Sequence, residues 1–480
     1  MADDPSPSTG GLSTGVLGQR EVIFQAIGHL GPAVGIIVAG SAIAGLVGAS
    51  VPLVLLVSLV AVLLTGLCVS SLARHLPSAG GYYSYVSHGL GERAGFVTAW
   101  AYFLYDPLIP TVGVLFTAGI LEPVLDRELG LRVPWWAIAV GLLLIVHIAT
   151  YRGIRPSARL TLIAGVAETL IIIVFAVALL VRGGTGALTL KPFHLPAAGS
   201  SNSLFLAFSF GVLLFTGFES AAPLAEETTH PRTAIPRTVM ISILLVGATW
   251  ILVGYAMVVG WGGGSIATAQ NPFFVLADRL SGWAWIFLAF ALLNSSLATA
   301  LAGQNAGARV MYTLGRAGLL PRGLAYLHPR YRTPVVALTL TTVLNIAVCL
   351  AVGFWLTPVG AFGFIGLFIT LGVIVVYVLG NLSVIRLYWG RHHDEWNVLR
   401  HGVVPVAACA ILGVGLYYTI WPIPAWPLNL AAAMVAGWLL IGVVIALVLW
   451  RTRRDALIAA AEPFGADTPA APTPMPATGQ

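Results

Sequence analysis

Long apolar runs alternate with short polar stretches along nearly the whole chain. The runs fall at roughly 23–45, 50–73, 95–119, 135–151, 159–181, 204–226, 238–260, 284–306, 334–353, 359–381, 403–421 and 426–450. A helix needs about 20 apolar residues to cross the hydrocarbon core of a bilayer. The pattern therefore predicts twelve transmembrane helices and an all-α integral membrane protein. The strands of an outer-membrane barrel would instead alternate apolar and polar positions over segments of about ten residues, and the runs lack that pattern. Residues 1–20 and 455–480 are rich in Pro, Ser, Thr and Ala and are expected to be disordered tails around one membrane domain, 21–454. The first twenty residues carry no charged-then-apolar leader, so no cleavable signal peptide is expected.

Composition sharpens this. Of the 480 residues 58% are hydrophobic and only 9% charged, with a mean hydropathy of +0.91. A soluble domain carries about 25% charged residues, so little of the chain is expected outside the membrane. With both termini cytoplasmic, nineteen of the 24 Lys and Arg fall on the cytoplasmic side. Only Arg127, Arg132, Arg182, Lys191 and Arg279 then lie on the other side. That asymmetry is the positive-inside rule; it predicts a multi-pass protein of the inner (cytoplasmic) membrane. The net charge of +6 thus reports topology. Nucleic acid is not an expected partner, because the basic residues are scattered over many loops. Cys68, Cys349 and Cys409 lie in different apolar runs without metal-ligand spacing and read as packing residues. No GxSxG, HExxH or Walker motif is present, so nothing points to an enzyme or a cofactor.

Two apolar runs are interrupted. The first contains Gly28-His29-Leu30-Gly31-Pro32; the sixth contains Phe215-Thr216-Gly217-Phe218-Glu219, followed by Pro223. A carboxylate at membrane depth costs a few kcal/mol and usually faces a partner, a cavity or a substrate. Broken backbone survives there only where protein, water or ligand satisfies its freed groups. The breaks are five spans apart, the spacing of two inverted repeats, at about 21–182 and 200–382. Paired interruptions at matching spans are a pointer to a transporter's binding site.

Further segments carry a family resemblance. Pro77-Ser78-Ala79-Gly80-Gly81-Tyr82-Tyr83-Ser84-Tyr85 is similar to a P-x-A-G-G-x-Y-x-Y segment. Gly217-Phe218-Glu219, Glu226-Glu227, Pro231-Arg232 and Ile235-Pro236-Arg237 follow a GFE…EE…NPR…IPR pattern, with His230 where Asn is usual. Arg309, Tyr312, Arg316 and Pro321, then Thr333-Pro334, complete the set. Together these resemble the amino acid–polyamine–organocation superfamily of permeases over about residues 20–450. The resemblance implies a LeuT-like 5+5 inverted repeat plus two C-terminal helices, 403–450. It also implies secondary transport of an amino acid by alternating access around spans one and six.

In that fold the two breaks face each other. Half-helix N-termini suit a substrate carboxylate and unwound carbonyls suit its ammonium group. Substrate binding is expected from the backbone of Ile27, Gly28, Gly31, Phe215, Thr216 and Gly217, with Phe215 and Phe218 as gating aromatics. The aromatic some members place before the span-six Glu is Leu213 or Leu214 here. Glu219 is expected to hold the unwound span and to sense substrate. Glu168, in span five, either titrates for proton coupling or hydrogen-bonds to the broken helix. Asp106 either lines the pocket and favours an amine, or caps backbone donors freed by Pro107 and Pro110. His29 is a candidate proton-linked group. Span-eight hydroxyls, Ser295 and Ser296 with Asn294 and Thr299 nearby, offer a sodium alternative or serve as helix–helix glue. The leading reading is a proton-coupled amino acid permease. Its rivals are a polyamine or organic-amine transporter or exchanger, and an amino acid sensor that has lost transport.

Overall fold

A computed structural model describes residues 15, 17–78, 80–153, 158–183, 189–194, 201–262, 266–269 and 271–461. Among these the molecule is helical, with one isolated β-bridge between Leu17 and Thr228. In chain order the helices are α1 (Gln19–Leu30), α2 (Pro32–Val47), α3 (Val51–His75), α4 (Tyr82–Leu90), α5 (Glu92–Tyr102) and α6 (Ile109–Leu129). Next come α7 (Trp135–Arg152), α8 (Ala158–Ala178), α9 (Ser201–Phe215), α10 (Pro231–Trp261) and α11 (Pro272–Leu280). The last five are α12 (Ala284–Arg316), α13 (Val335–Gly390), α14 (Val404–Ile420), α15 (Leu428–Thr452) and α16 (Arg454–Ala461).

Ten stretches among the described residues are long and apolar enough to cross a membrane. Two of them, Gln19–His75 and Val335–Gly390, run to 57 and 56 residues, more than twice one crossing of about 20 residues. The first is interrupted near its middle at Gly48–Ser50. The second leaves helical geometry at Thr357 (φ 66°, ψ 160°), just before Pro358. Proline removes a backbone donor and clashes with the preceding turn, which accounts for the bend.

The arrangement has a centre and a rim. The window of the span that joins α9 to Glu227 is 83% buried, whereas that of α15 is 17% buried. Leu440, Val406 and Val448 on the rim are more than half exposed. So much outward apolar surface would be an interaction patch on a soluble protein; here it is what a hydrocarbon solvent requires. α3 packs most extensively on α10, and α6 on α12 and α13, with α2 against α9 between them.

Three elements differ from the sequence expectation. The third span, read as one helix over 95–119, is broken between Tyr102 and Ile109. The PSAGGYYSY segment contributes a short buried helix, α4. Where a disordered tail is expected from residue 455, Arg454–Ala461 form α16, which docks on α4 and α5; the rest of that segment lies outside the described residues. There Tyr83 Oη donates to the Leu457 carbonyl at 2.6 Å, and Arg453 Nη1 donates to the Gly318 carbonyl at 2.8 Å. Burial pushes the Tyr83 phenol above its ordinary pKa, so it remains a neutral donor.

Candidate functional site

The first break is a single residue wide. Gly31 adopts φ 60°, ψ 74°, ending α1 and starting α2 at Pro32. Only glycine fits: a Cβ there would lie 2.3 Å from Thr299 Oγ1 and 2.6 Å from Val34 Cγ1. Other spans satisfy the freed backbone. Thr299 Oγ1 donates to the Gly28 carbonyl at 3.0 Å, and Trp250 Nε1 donates to the Pro32 carbonyl at 2.8 Å. Ser295 Oγ accepts from the Ala33 amide at 3.2 Å. The Ile27 carbonyl takes the Gly31 amide at 3.1 Å.

The sixth span breaks by a different device. α9 ends at Phe215, Thr216 Oγ1 donates back to the Leu213 carbonyl at 2.6 Å, and Gly217 takes φ 115°. The chain then continues in 3₁₀ turns over Phe218–Glu227. Glu219 is buried; its Oε2 accepts from the Gly217 amide at 3.1 Å and its Oε1 from Tyr377 Oη at 2.9 Å. It thus staples the break to α13.

The two breaks touch. A Cβ on Gly217 would lie 2.8 Å from Cγ and Cδ2 of His29. The His29 ring is stacked on Tyr105 with centroids 6.0 Å apart, and its Nε2 stands 3.5 Å from Asp106 Oδ1. Tyr102 Oη donates to the other Asp106 oxygen, Oδ2. His29 Nδ1 and Nε2 and Asp106 Oδ1 are buried with no hydrogen-bond partner, and Tyr105 is within reach of both carboxylates, Asp106 and Glu219. Buried polar groups are nearly always paired, so this cluster has unused capacity beside both breaks.

Asp106 was open to two readings, and its surroundings separate them. The backbone freed in span three is satisfied by Asn345 of α13, which donates to the Pro107 carbonyl at 2.7 Å and accepts from the Thr111 amide at 3.1 Å. The Asp106 carboxylate is therefore not the cap of that break; it faces His29 and Tyr102.

Glu168, also buried, accepts from Asn294 Nδ2 of α12, and Ser295 and the Ala33 amide are beside it. Its hydrogen bonds thus reach the start of α2 through α12. The two hydroxyls that meet the first break are Ser295 and Thr299. Ser296 is on another side of α12, its oxygen unpartnered and 3.5 Å from where a Gly113 Cβ would lie. The expected Ser295–Ser296 pairing thus does not converge. Of the two aromatics, Phe218 lies against Tyr377 at 5.4 Å between centroids, next to Glu219. Phe215 instead packs its ring on Trp250 at 4.9 Å, so only its backbone belongs to the break. Leu213 and Leu214 both line the cavity.

That cavity has a volume of about 60 Å³. Its walls are mainly apolar, with Val34, Ile109, Val112, Leu213 and Phe362 among them, and its floor is His29, Thr216 and Thr299. It is bounded by α2, α6 and α9 and lies on one side of the breaks. At the far end of the sixth span the N-terminal segment is tied down. The Leu17 amide donates to the Glu227 carbonyl at 2.9 Å, and the Thr229 amide to the Leu17 carbonyl at 2.8 Å. Arg309 Nε meets Glu227 Oε1 at 2.7 Å, both side chains nearly buried.

The residues missed by sequence reasoning are the second partners: Trp250, Tyr102, Tyr105, Asn345 and Tyr377. Each is an aromatic or amide inside an apolar run, and nothing in sequence spacing links it to its partner in another span.

Comparison with known proteins agrees with this geometry. The amino acid permease family matches residues 17–450. The low-affinity putrescine importer PlaP of Escherichia coli K12 is 27% identical over 392 residues, 78% of this chain and 81% of that protein. The branched-chain amino acid permease BcaP of Lactococcus lactis is 25% identical over 422 residues, covering 79% and 82%. The mouse Asc-type amino acid transporter 1 is 25% identical over 410 residues, covering 81% and 73%. The chain is a multi-pass membrane transporter of the secondary type and belongs to the amino acid permease family.

Proposed function

We propose that the chain carries a small zwitterionic amino acid with an apolar side chain across the cytoplasmic membrane of a cell, in symport with protons, both termini being cytoplasmic. The observation that carries this reading is the contact of two broken helices under a pocket with apolar walls. The breaks present backbone dipoles to the charged ends of the substrate, and Val34, Ile109, Val112 and Leu213 offer its side chain an oily wall. A volume of about 60 Å³ holds only a few waters. Substrate enters once α2 and α9 separate from α6, while the Glu227–Arg309 pair keeps the basic face closed. Exchange of which face is closed is alternating access in this arrangement, with twelve crossings bringing both ends to one side.

Coupling is assigned to Glu168, whose hydrogen bonds reach α2 through Asn294 and Ser295 of α12. Among amino acid relatives, the permease BcaP is named for branched-chain substrates, and the apolar wall supports the same class here. A second reading rests on Asp106: its Oδ1, which has no hydrogen-bond partner and faces His29 at 3.5 Å, suits an ammonium group, and PlaP is named for putrescine. Uptake of labelled leucine, alanine, lysine and putrescine into proteoliposomes, with the outside more acid or at equal pH, tests both. Gradient-boosted uptake of leucine supports the first reading. Putrescine uptake without leucine uptake selects the second. Retention of ligand by the protein in detergent, with no flux of any of the four, leaves a sensor and overturns both.

A further inference from the structure

Far from the breaks, at the basic face, His75 ends α3, while His392 and Glu395 belong to the turn that follows α13. We propose that these three side chains form a binding site for one divalent transition-metal ion of the zinc class, which ties the end of α3 to the end of α13. One donor atom from each residue lies within 4.8 Å of the other two. His75 Nε2 stands 3.3 Å from Glu395 Oε2. Zinc binds imidazole nitrogen and carboxylate oxygen at about 2.0–2.2 Å in a tetrahedron, which sets donor atoms about 3.4 Å apart. One edge therefore already has the needed length. Glu395, half exposed at 51%, is free to swing and close a second edge; the third closes when His392 turns out of its stack on His75, because an imidazole binds through a lone pair in its ring plane.

Aromatic side chains surround the cluster. The His75 and His392 rings are stacked with centroids 4.1 Å apart and planes 27° apart. Tyr388 lies edge-on to His75 at 5.5 Å and donates its Oη to the Ser71 carbonyl at 3.1 Å, joining α13 to α3 beside the cluster. His401 stacks on Tyr388 at 3.6 Å and closes the far side. Two imidazoles and one carboxylate match a borderline cation and leave its fourth position to water, whereas magnesium and calcium prefer oxygen donors. Arg74 and Arg232 are near enough to act electrostatically on this group of histidines. Their charge opposes that of the ion, so the site is reversible rather than permanent. A metal-free His75–Glu395 ion pair is the competing arrangement.

The test uses the full-length protein in detergent micelles, stripped with EDTA and titrated with Co²⁺, whose visible absorption reports nitrogen and oxygen ligation. The expected result is saturation at one Co²⁺ per chain, displaced by Zn²⁺. The bands are lost in His75→Ala and His392→Ala, and unchanged in His393→Ala, an exposed neighbour. Glu395→Gln weakens binding at least tenfold. Because Glu395 is exposed, that variant is a test free of folding damage, and its melting temperature no longer rises with Zn²⁺ as the wild type's does. Binding that survives in both histidine variants means an adventitious ion only. Absence of saturable binding to the wild type means the ion pair alone. Either result overturns the proposal.

Discussion

Replacing Gly217 by alanine tests the contact on which the site rests. The backbone at Gly217 sits at φ 115°, ψ −15°, outside the regions an L-residue adopts readily. Holding a side chain there costs about 1–3 kcal/mol. The added Cβ would also lie 2.8 Å from two His29 ring atoms and 3.1 Å from the His29 carbonyl carbon. The ring is hemmed in by Tyr105 and Asp106, so overpacking adds about 1–3 kcal/mol. The sum, about 2–6 kcal/mol, acts on the conformation in which the breaks touch. At 1.4 kcal/mol per tenfold, uptake should fall by about 25-fold at the least, and the melting temperature in detergent should drop. Gly141→Ala and Gly413→Ala are the controls: both are helical with nothing within 4 Å of the new methyl, and each should be neutral or stabilising. His29→Ala added to Gly217→Ala removes the ring and should restore part of the lost melting temperature, a coupling of about 1–3 kcal/mol. Wild-type uptake and melting temperature in Gly217→Ala would refute the reasoning. Additive behaviour of the pair would show that the ring contact is not the cause.

Other sites give sharper functional separations. Glu168→Gln should abolish accumulation driven by an inward proton gradient and spare counter-exchange of labelled substrate; accumulation at the wild-type rate makes Glu168 structural. Arg309→Gln leaves Glu227 nearly buried without its cation, at up to about 3 kcal/mol. Amide hydrogen exchange around Leu17 and Thr228 should then speed up, and unchanged protection there means the pair does not hold the basic face shut. Tyr377→Phe strips one donor from buried Glu219 and should lower stability by about 1–3 kcal/mol, read as a lower midpoint of thermal unfolding. Asp106→Asn should cut putrescine uptake at least tenfold if the amine reading holds and leave leucine uptake within about threefold; equal losses for both would remove the basis for distinguishing them.

The fold was legible because a bilayer leaves few choices: apolar length fixes spans, and Gly-rich interruptions inside those spans fix where backbone is unwound. Gly31 and Gly217 announced themselves in this way, since no other residue tolerates their dihedral angles and neighbours. The break in span three did not. Pro107 and Pro110 are common enough in membrane helices that they do not separate a kink from a gap. What decides between the two is Asn345, which lies 238 residues from the carbonyl it caps. The same holds for Ser296: adjacent hydroxyls on one helix point about 100° apart, so Ser295 reaches α2 while Ser296 faces α6, and adjacency in sequence misleads. α4 and α16 escaped notice because both are short and lie outside the long apolar runs by which spans are recognised.

The three interrupted spans differ in who satisfies them, and that difference orders the motions open to the molecule. Span six is capped mostly from within, through Thr216 and Glu219, so it retains its shape when its neighbours move. Span one depends on α12 and α10: Thr299 holds Gly28, Ser295 holds Ala33 and Trp250 holds Pro32. Any tilt of α1 together with the start of α2 against α12 breaks the first two of these hydrogen bonds, at about 0.5–1.5 kcal/mol each when water can replace them and about 1–3 when it cannot. Under the proposed function a substrate offers the replacement, and so do the unused groups of His29 and Asp106. Binding then lowers the free energy of the tilted form more than that of the closed one, the differential a ligand needs in order to shift a conformational equilibrium. Glu168 stands where this exchange is felt, one hydrogen bond from Asn294 and beside Ser295. Under the proposed function, gain or loss of its proton would change whether it accepts or donates there, and so bias the tilt of α1 through the same few atoms.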